Sequence, residues 1–469
     1  MPITSTGLAS GVDIQSIVSQ LVALERAPLA PLQTQATKFQ SKISVFGTLS
    51  SMMNSLGDLG TKLADPNAFK AVKGSSSSSD AVGITVATGT APTSMAVEVQ
   101  QLAKAQSTAS LAVPKDTAMG EGNLKITLGD WSSGTFAAGS APAVDITIGP
   151  GEDTLTQIAA KINAASAGVT ATVLRDASGE RLLMRSKDTG EALGFEMQAT
   201  DTDGVDNTGL SRLAVQGGVA SGVQITHGAN AMATINGISI ESASNTYKDG
   251  LPGITLQFSK VTTGPVEIGV TNDKDAMTKT IQSFVDAYNS LNDMLTSTTA
   301  YNPDTKVAGS LQGDSSAVGL QNALRGMMRS ATPGAAFTTL ADIGIELKAG
   351  GKMSINSTKL SAALDNPQAV QNLFNADHTD PTAQGFGEKL KTFADGFAGA
   401  NGTLTTRTDS LRAAVKRNTV QQDTVIARAA RAETRYLKQY NAMDAMVGQL
   451  NSLNSFVTQQ IAQWNKASS

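Results

Sequence analysis

Near its C-terminal end the chain places an apolar residue at every seventh position. Tyr436, Met443, Leu450, Val457 and Trp464 form one series, and Tyr440, Val447, Asn454 and Ile461 form a partner series four residues later. A seven-residue repeat of this kind is a coiled-coil seam, which must be buried against other helices. This seam has few charged flanks and little in its own chain to bury against. It therefore implies a long helix that finds partners, some of them in other subunits. Asn454 is the polar intruder, and two readings of it stand. A buried amide there would fix register and partner number, whereas a frayed end would leave it in solvent.

The opposite end of the chain is helical too. After Gly11, the residues Ile14, Ile17, Val18, Leu21 and Leu24 fall three and four apart, with Asp13 near the positive N-terminal end of the predicted helix. Pro28 and Pro31 interrupt it, since neither can donate the helical hydrogen bond. A second run, Phe39, Phe46, Leu49, Met53, Leu56 and Leu63, reads as another coiled-coil seam rather than a broad core face. Helices from the two ends are thus expected to pair, with everything else inserted between them.

The insertion reads as strand. Ala71–Asp80, with Gly74 and the run Ser75–Ser79, has nothing to bury and is predicted to be a linker. Beyond it the apolar period falls to two, in Val82/Ile84/Val86, Met95/Val97/Val99, Leu124/Ile126/Leu128 and Val144/Ile146/Ile148. One helix intervenes, carried by Leu155, Ile158 and Ile162 behind a cap at Asp153 or Thr154. Strands resume at Val169–Val173, Leu182–Met184 and Val223–Ile225, and Asn236-Gly237 marks a tight hairpin. Ile254/Leu256/Phe258 and Val266/Ile268/Val270 close the region. Helix returns near Asn272 through Met277, Ile281, Phe284, Tyr288, Leu291 and Leu295. A small hairpin then flanks Gly350-Gly351, and further helices open at Ser357 and Pro367.

These elements predict an α+β multidomain chain with two nested β-rich head domains. The expected parts are coiled-coil legs (1–38 and 432–469), a helical domain with a small hairpin (39–74 and 272–431), a first head domain (75–110 and 221–271) and a second (111–220). The length of 469 residues, at about 150 per domain, suits three or more parts.

Composition removes several functions. Charged residues make up 16% and the net charge is −4, so no global basic field could hold a phosphate backbone. The last 69 residues, with nine Lys/Arg and four Asp/Glu, are mildly positive, which suits a partner surface better than nucleic acid. There is no cysteine, hence no disulfide, thiolate nucleophile or Cys-based metal site. His227 and His378 are far apart with no second ligand at metal spacing. No basic and apolar signal peptide opens the chain and no apolar run is long enough to span a membrane, so these signals alone read as cytoplasmic.

Chemical motifs are thin. Gly351-Lys352 resembles the end of a phosphate loop, but Glu346 stands where the first glycine belongs and Met353 replaces Ser/Thr. In Asp201-Thr202-Asp203-Gly204-Val205-Asp206 the glycine comes too early for a calcium loop, and Arg212 takes the place of the bidentate Glu. Asn356-Ser357-Thr358 and Asn401-Gly402-Thr403 match the glycosylation triplet, which is common by chance. Two histidines and no nucleophile elbow leave no Ser–His–Asp set. No enzyme activity, cofactor or metal is expected.

Several segments resemble the flagellar hook-associated protein 2 family, the filament cap proteins. They are Gly7-Leu8-Ala9-Ser10-Gly11-Val12-Asp13-Ile14 with Ile17-Val18-Ser19-Gln20-Leu21-Val22, and Gln100-Gln101-Leu102-Ala103-Lys104-Ala105-Gln106. Leu155 to Val173, with Ile162-Asn163, is similar to a module shared with flagellins. Ala233 to Ile238, Ser244-Asn245 and Asp249 to Leu256 follow in family order, with Asn236, Gly237, Pro252 and Gly253 as structural turns. Gly344-Ile345, Gly351 to Asn356, Leu360 and Glu433 to Tyr436 complete the match.

The resemblance implies a secreted, extracellular protein at the flagellum tip, exported by the flagellar type III apparatus. Its copies would form a homo-oligomeric cap under which exported flagellin folds and inserts instead of being lost to the medium. It also implies hook–filament junction proteins and an export chaperone at the C-terminal helix as partners, with no nucleic acid and no membrane insertion. The terminal seams Ile14, Ile17, Val18, Leu21, Leu24 and Tyr436–Trp464 would make the filament contacts. An adhesin whose head binds host mucin or glycan is the alternative. Exposed aromatics would favour it, and Trp131 and Phe136 are the one close pair in the head. A bulk filament subunit fits the Asn236 and Gly-Lys-Met-Ser hairpins less well.

Overall fold

The computed structural model describes residues 11–202, 208–216, 222–376 and 384–467. Gly7–Ser10 of the opening motif, Asp203–Asp206 of the acidic loop, and His378 lie outside the described residues. The helices are α1 (Ile14–Arg26), α2 (Leu29–Ala64), α3 (Leu155–Ala164), α4 (Lys274–Thr299), α5 (Ser315–Met327), α6 (Ser357–Ala363), α7 (Pro367–Phe374), α8 (Phe386–Ala398) and α9 (Thr403–Ala467). The chain divides into two compact units, Met1–Phe69 with Met277–Ser469, and Lys70–Ala276. The fold is α+β and multidomain, with β-rich domains inserted between helices from the two chain ends.

In the helical unit, Asp13 caps α1 by accepting the Ser16 N–H at 3.0 Å. The helix breaks at Ala27-Pro28, but Pro31 sits in the first turn of α2 and interrupts nothing, because no helical donor is needed there. From Phe46 onward α2 is a core face and not a two-stranded seam. Phe46, Leu49, Met53, Leu56 and Leu63 are all fully buried, while Phe39 is only half-buried. The reason lies on the same face of the helix, where glycine lets α8 approach closely. A Cβ on Gly60 would lie 2.9 Å from the Gly387 carbonyl oxygen, and one on Gly57 would lie 2.7 Å from the Ala394 Cβ.

Around this crossing, Phe69 stacks on Phe374 at 5.4 Å, and the Phe374 and Phe284 rings both meet Phe386 edge-on. The Asp314 carboxylate is almost fully buried. It caps α5 through the Ser316 N–H and accepts the Arg407 guanidinium of α9 at 2.8 Å, with Lys42 of α2 at 3.9 Å.

The other unit contains two cores, one nested in the other. A five-stranded antiparallel sheet runs in the order Val72–Ser76, Val266–Asn272, Thr93–Gln101, Ala231–Ile235, Ile238–Ser242. With the sheet Thr246–Tyr247, Ile254–Phe258, Val82–Val86 it encloses Val82, Val97, Val99, Leu256, Ile268 and Val270. Nested inside that sequence, the sheet Gln224–Thr226, Ser107–Ala109, Gly179–Ser186, Val169–Asp176 and a sheet centred on Gly122–Asp130 pack with α3. Leu124, Ile126, Ile158, Ile162, Phe195 and Met197 fill the nested core.

The expected linker Ala71–Asp80 is therefore wrong in its first half. Val72–Ser76 is a paired edge strand whose small residues are required, since a Cβ on Gly74 would lie 2.8 Å from the Ile84 Cγ2. An edge strand needs backbone pairing rather than apolar side chains, so composition misled there.

Candidate assembly surface

Helix α9 carries one heptad seam along its whole length, of which the series from Tyr436 to Trp464 is only the end. Leu404, Leu411, Asn418, Val425, Ala432, Gln439, Met446, Leu453 and Gln460 step by seven. Thr408, Val415, Gln422, Ala429, Tyr436, Met443, Leu450, Val457 and Trp464 form the second line, four residues later. In the first half this seam is covered by its own chain. Leu404, Leu411, Asn418, Ala429 and Ala432 are buried, and Val415, Gln422, Val425 and Tyr436 are half-buried. Ile14, Val18 and Val22 of α1 pack on Ala429 with Tyr436, Leu437 and Tyr440, and Glu25 pairs with Arg428 at 2.8 Å.

Leu24 and the partner series are placed differently by this geometry. Leu24 is 71% exposed, because α1 presents the i, i+4 row Ile14, Val18, Val22 to α9, while Ile17 and Leu21 flank it half-buried. In the covered part the partner series lies on the line of Ala432, three residues beyond Ala429, rather than on the line of Tyr440 four residues beyond Tyr436. Tyr440 and Val447 are half-buried, and Asn454 and Ile461 are exposed.

The buried amide is Asn418, only 2% exposed. It donates to Gln35 Oε1 of α2 at 3.2 Å and accepts from Gln422 at 2.6 Å. Among the described residues the apolar cover that α1 supplies ends at Tyr440. Met446, Leu450, Leu453 and Phe456 are 58–64% exposed and Trp464 is 76% exposed, a stripe about 32 Å long between residues 443 and 464.

Asn236 and Gly237 both have positive φ, at 49° and 81°, and join two strands in register as a two-residue hairpin. The Asn236 side chain also accepts the Ala96 N–H, fastening the turn to the neighbouring strand. Gly253, with φ 75°, follows Pro252 in a turn closed by the Ile254 N–H to the Leu251 carbonyl. The Gly350-Gly351 hairpin cradles no phosphate. Its carbonyls face inward, accepting the Tyr288 hydroxyl at 2.7 Å and Arg325 at 3.2 Å, and Lys352 pairs with Asp293.

Asp201 is a buried structural acceptor for the Ser211 N–H. Asn356 caps α6 through the Lys359 N–H, which occupies the side chain of that glycosylation triplet. Trp131 is buried, with its ring 5.1 Å from both Phe136 and His227, so the aromatic pair is packing and not a platform for sugar.

Family models for the flagellar hook-associated protein 2 N-terminus and C-terminus match residues 10–106 and 228–452, and a flagellin hook IN motif matches 124–188. The chain belongs to the flagellar hook-associated protein 2 family. It is 29% identical to the flagellar hook-associated protein 2 of Escherichia coli K12, with 98% of each chain aligned. Identity is also 29% to the A-type flagellar hook-associated protein 2 of Pseudomonas aeruginosa, covering 98% of this chain and 97% of that one. The crystal structure of the D1-D2-D3 domains of the E. coli flagellar cap protein FliD superposes with a TM-score of 0.62 at 28% identity, covering 78% of this chain and 99% of that chain.

The fold also contains a device that the sequence did not disclose. Among the described residues, four carboxamides each embrace both the N–H and the C=O of one residue. They are Gln106 on Phe195 (2.9 and 2.7 Å), Asn163 on Ala171 (2.8 and 2.8 Å), Asn245 on Ala103 (2.8 and 3.0 Å) and Asn289 on Met353 (2.8 and 3.0 Å). Each stands in for a missing strand partner, so these backbone groups stay paired away from water.

Proposed function

We propose that the chain is the cap at the distal end of a bacterial flagellar filament, promoting the folding and insertion of exported flagellin and keeping it from the medium. Membership of the hook-associated protein 2 family supports a filament cap role at the flagellum tip. One structural observation favours a leg that grips the filament: the α9 seam is covered by its own chain up to Tyr440 and continues exposed to Trp464. An exposed, nearly uncharged apolar stripe of that length is the property of a surface that another helix covers. The legs, 1–38 and 432–469 in this proposal, would hold filament subunits through contacts modest enough to release. Other copies of the chain, flagellin, the hook–filament junction proteins and an export chaperone on α9 are the proposed partners, and the secreted location follows from the role. The head-bound glycan reading loses its support with the burial of Trp131.

The test is flagellin in the culture medium of a strain lacking the gene. Monomeric flagellin in the medium with missing filaments, reversed by the intact gene and not by one lacking codons 440–469, is the expected result. Normal filaments without the protein would refute the proposal.

A further inference from the structure

We infer that Gln439 and Gln460 set the register of the helix that covers the exposed half of α9, and that the partner is an amphipathic helix low in charge with uncharged polar side chains at matching layers. This rests on the cap reading. The argument is continuity with the seam the chain already closes upon itself. There the layer of Asn418 is polar and buried, and it is satisfied across the interface by Gln35 of α2. Residues 418, 439 and 460 lie on one seam line, three heptads apart, so the amide layer recurs once at the edge of the part that α1 covers, where the Gln439 side chain is exposed, and once well beyond it.

Charge cannot set the register in that stretch, because residues 439–464 contain a single charged residue, Asp444. In most coiled coils charged flanks choose partner and alignment, and where they are absent a buried polar layer takes over that role. Between the two glutamines the line carries Met446 and Leu453, both exposed and apolar. A slip of one heptad would bring each glutamine to an apolar layer of the partner and leave a buried carboxamide without a partner. Gln439 and Gln460 are thus positioning residues. Truncation or burial elsewhere would not reveal them, since both are exposed in the single chain.

The experiment replaces both residues in the full-length chain, as Gln439→Leu with Gln460→Leu, and in parallel as the conservative pair Gln439→Asn with Gln460→Asn. Each gene is returned to the deletion strain, and flagellin in the medium and filament length are measured. Urea unfolding of the purified variants is the control. The expected result is an unchanged unfolding midpoint for both pairs, a severalfold rise in released flagellin with short filaments for the Leu pair, and near-parental release for the Asn pair. Parental filaments with the Leu pair would overturn the inference, as would equal failure of both pairs. A deletion strain that retains its flagellin would overturn the cap reading and the inference with it. That outcome is distinguishable, because the parental gene would then make no difference either.

Discussion

Gln106→Leu isolates one of the carboxamide braces at nearly constant volume. Gln106 and Phe195 are both fully buried, and the glutamine pairs with both main-chain groups of Phe195. After the change the Phe195 carbonyl keeps a donor, because Trp131 Nε1 also reaches it at 3.2 Å. The Phe195 N–H loses its acceptor, Gln106 Oε1, and a stranded buried donor costs about 1–3 kcal/mol. The expected loss is about 2 kcal/mol. With a urea dependence of about 2 kcal/mol/M, the midpoint should fall by about 1 M.

The chain has two tryptophans, so in a Trp464→Phe background the emission of Trp131 reports the nested β core alone. A midpoint within about 0.2 M of the parent, well inside the movement expected from that slope, would refute the reasoning. Gln106→Glu supplies the sign. A protonated carboxyl can donate to the Phe195 carbonyl and accept its N–H, whereas the carboxylate can only accept. Burial raises the folded-state pKa of that glutamate above its unfolded value of about 4.3. Stability should therefore approach the parent below that value and be lost as pH rises through the folded pKa.

Other consequences are equally direct. Burial pushes the Asp342 carboxyl up, but the N–H groups of Thr339 and Thr338 outweigh this and hold it below the ordinary range. Its contribution should therefore be present at neutral pH and lost as pH falls through the folded pKa, and Asp342→Asn should flatten the acid limb of stability measured by urea titration. Gly237→Ala and Gly253→Ala both force an alanine to positive φ, at about 1–2 kcal/mol. The second should cost more in thermal melts, because its Cβ would lie 2.3 Å from the Thr90 Oγ1 while nothing stands within 4 Å of the first. In the isolated chain, amides of 443–464 should exchange far faster than those of 404–436, and equal protection of both halves of α9 would contradict the exposed seam.

Most strands were legible because alternation survives wherever one face is buried, as in Met95/Val97/Val99 and Ile254/Leu256/Phe258. Gly194–Asp201 carried the same alternation in Phe195, Met197 and Ala199 and went unread. Val72–Ser76 could not be read, since its place depends on Ile84 and Val86 lying over a glycine. The upper seam of α9 was hidden because Thr408, Asn418 and Gln422 occupy seam positions, and Ala429 and Ala432 are small where α1 approaches. Counting back by sevens from Tyr436 reaches Ala429, Gln422 and Thr408, and counting back from Gln439 reaches Ala432 and Asn418. The longer-range braces had no local signal, because Gln106 and Phe195 are 89 residues apart and Asn245 and Ala103 are 142 apart.

The nested β region has a consequence for the order in which the chain can fold. Its root is a single antiparallel bridge, Lys104 to Ala229, and the root of the whole insertion is the ladder that pairs Val72 with Asn272. Pairing Thr93–Gln101 with Ala231–Ile235 across an unfolded excursion of more than a hundred residues would carry a large loop-closure cost. Once the nested core has formed, that excursion behaves as a short rigid connector, and the outer strands meet as neighbours. The same relief then reaches Val72 and Asn272. The chain is thus organised to fold from its middle outward, with the pairing most distant in sequence made last.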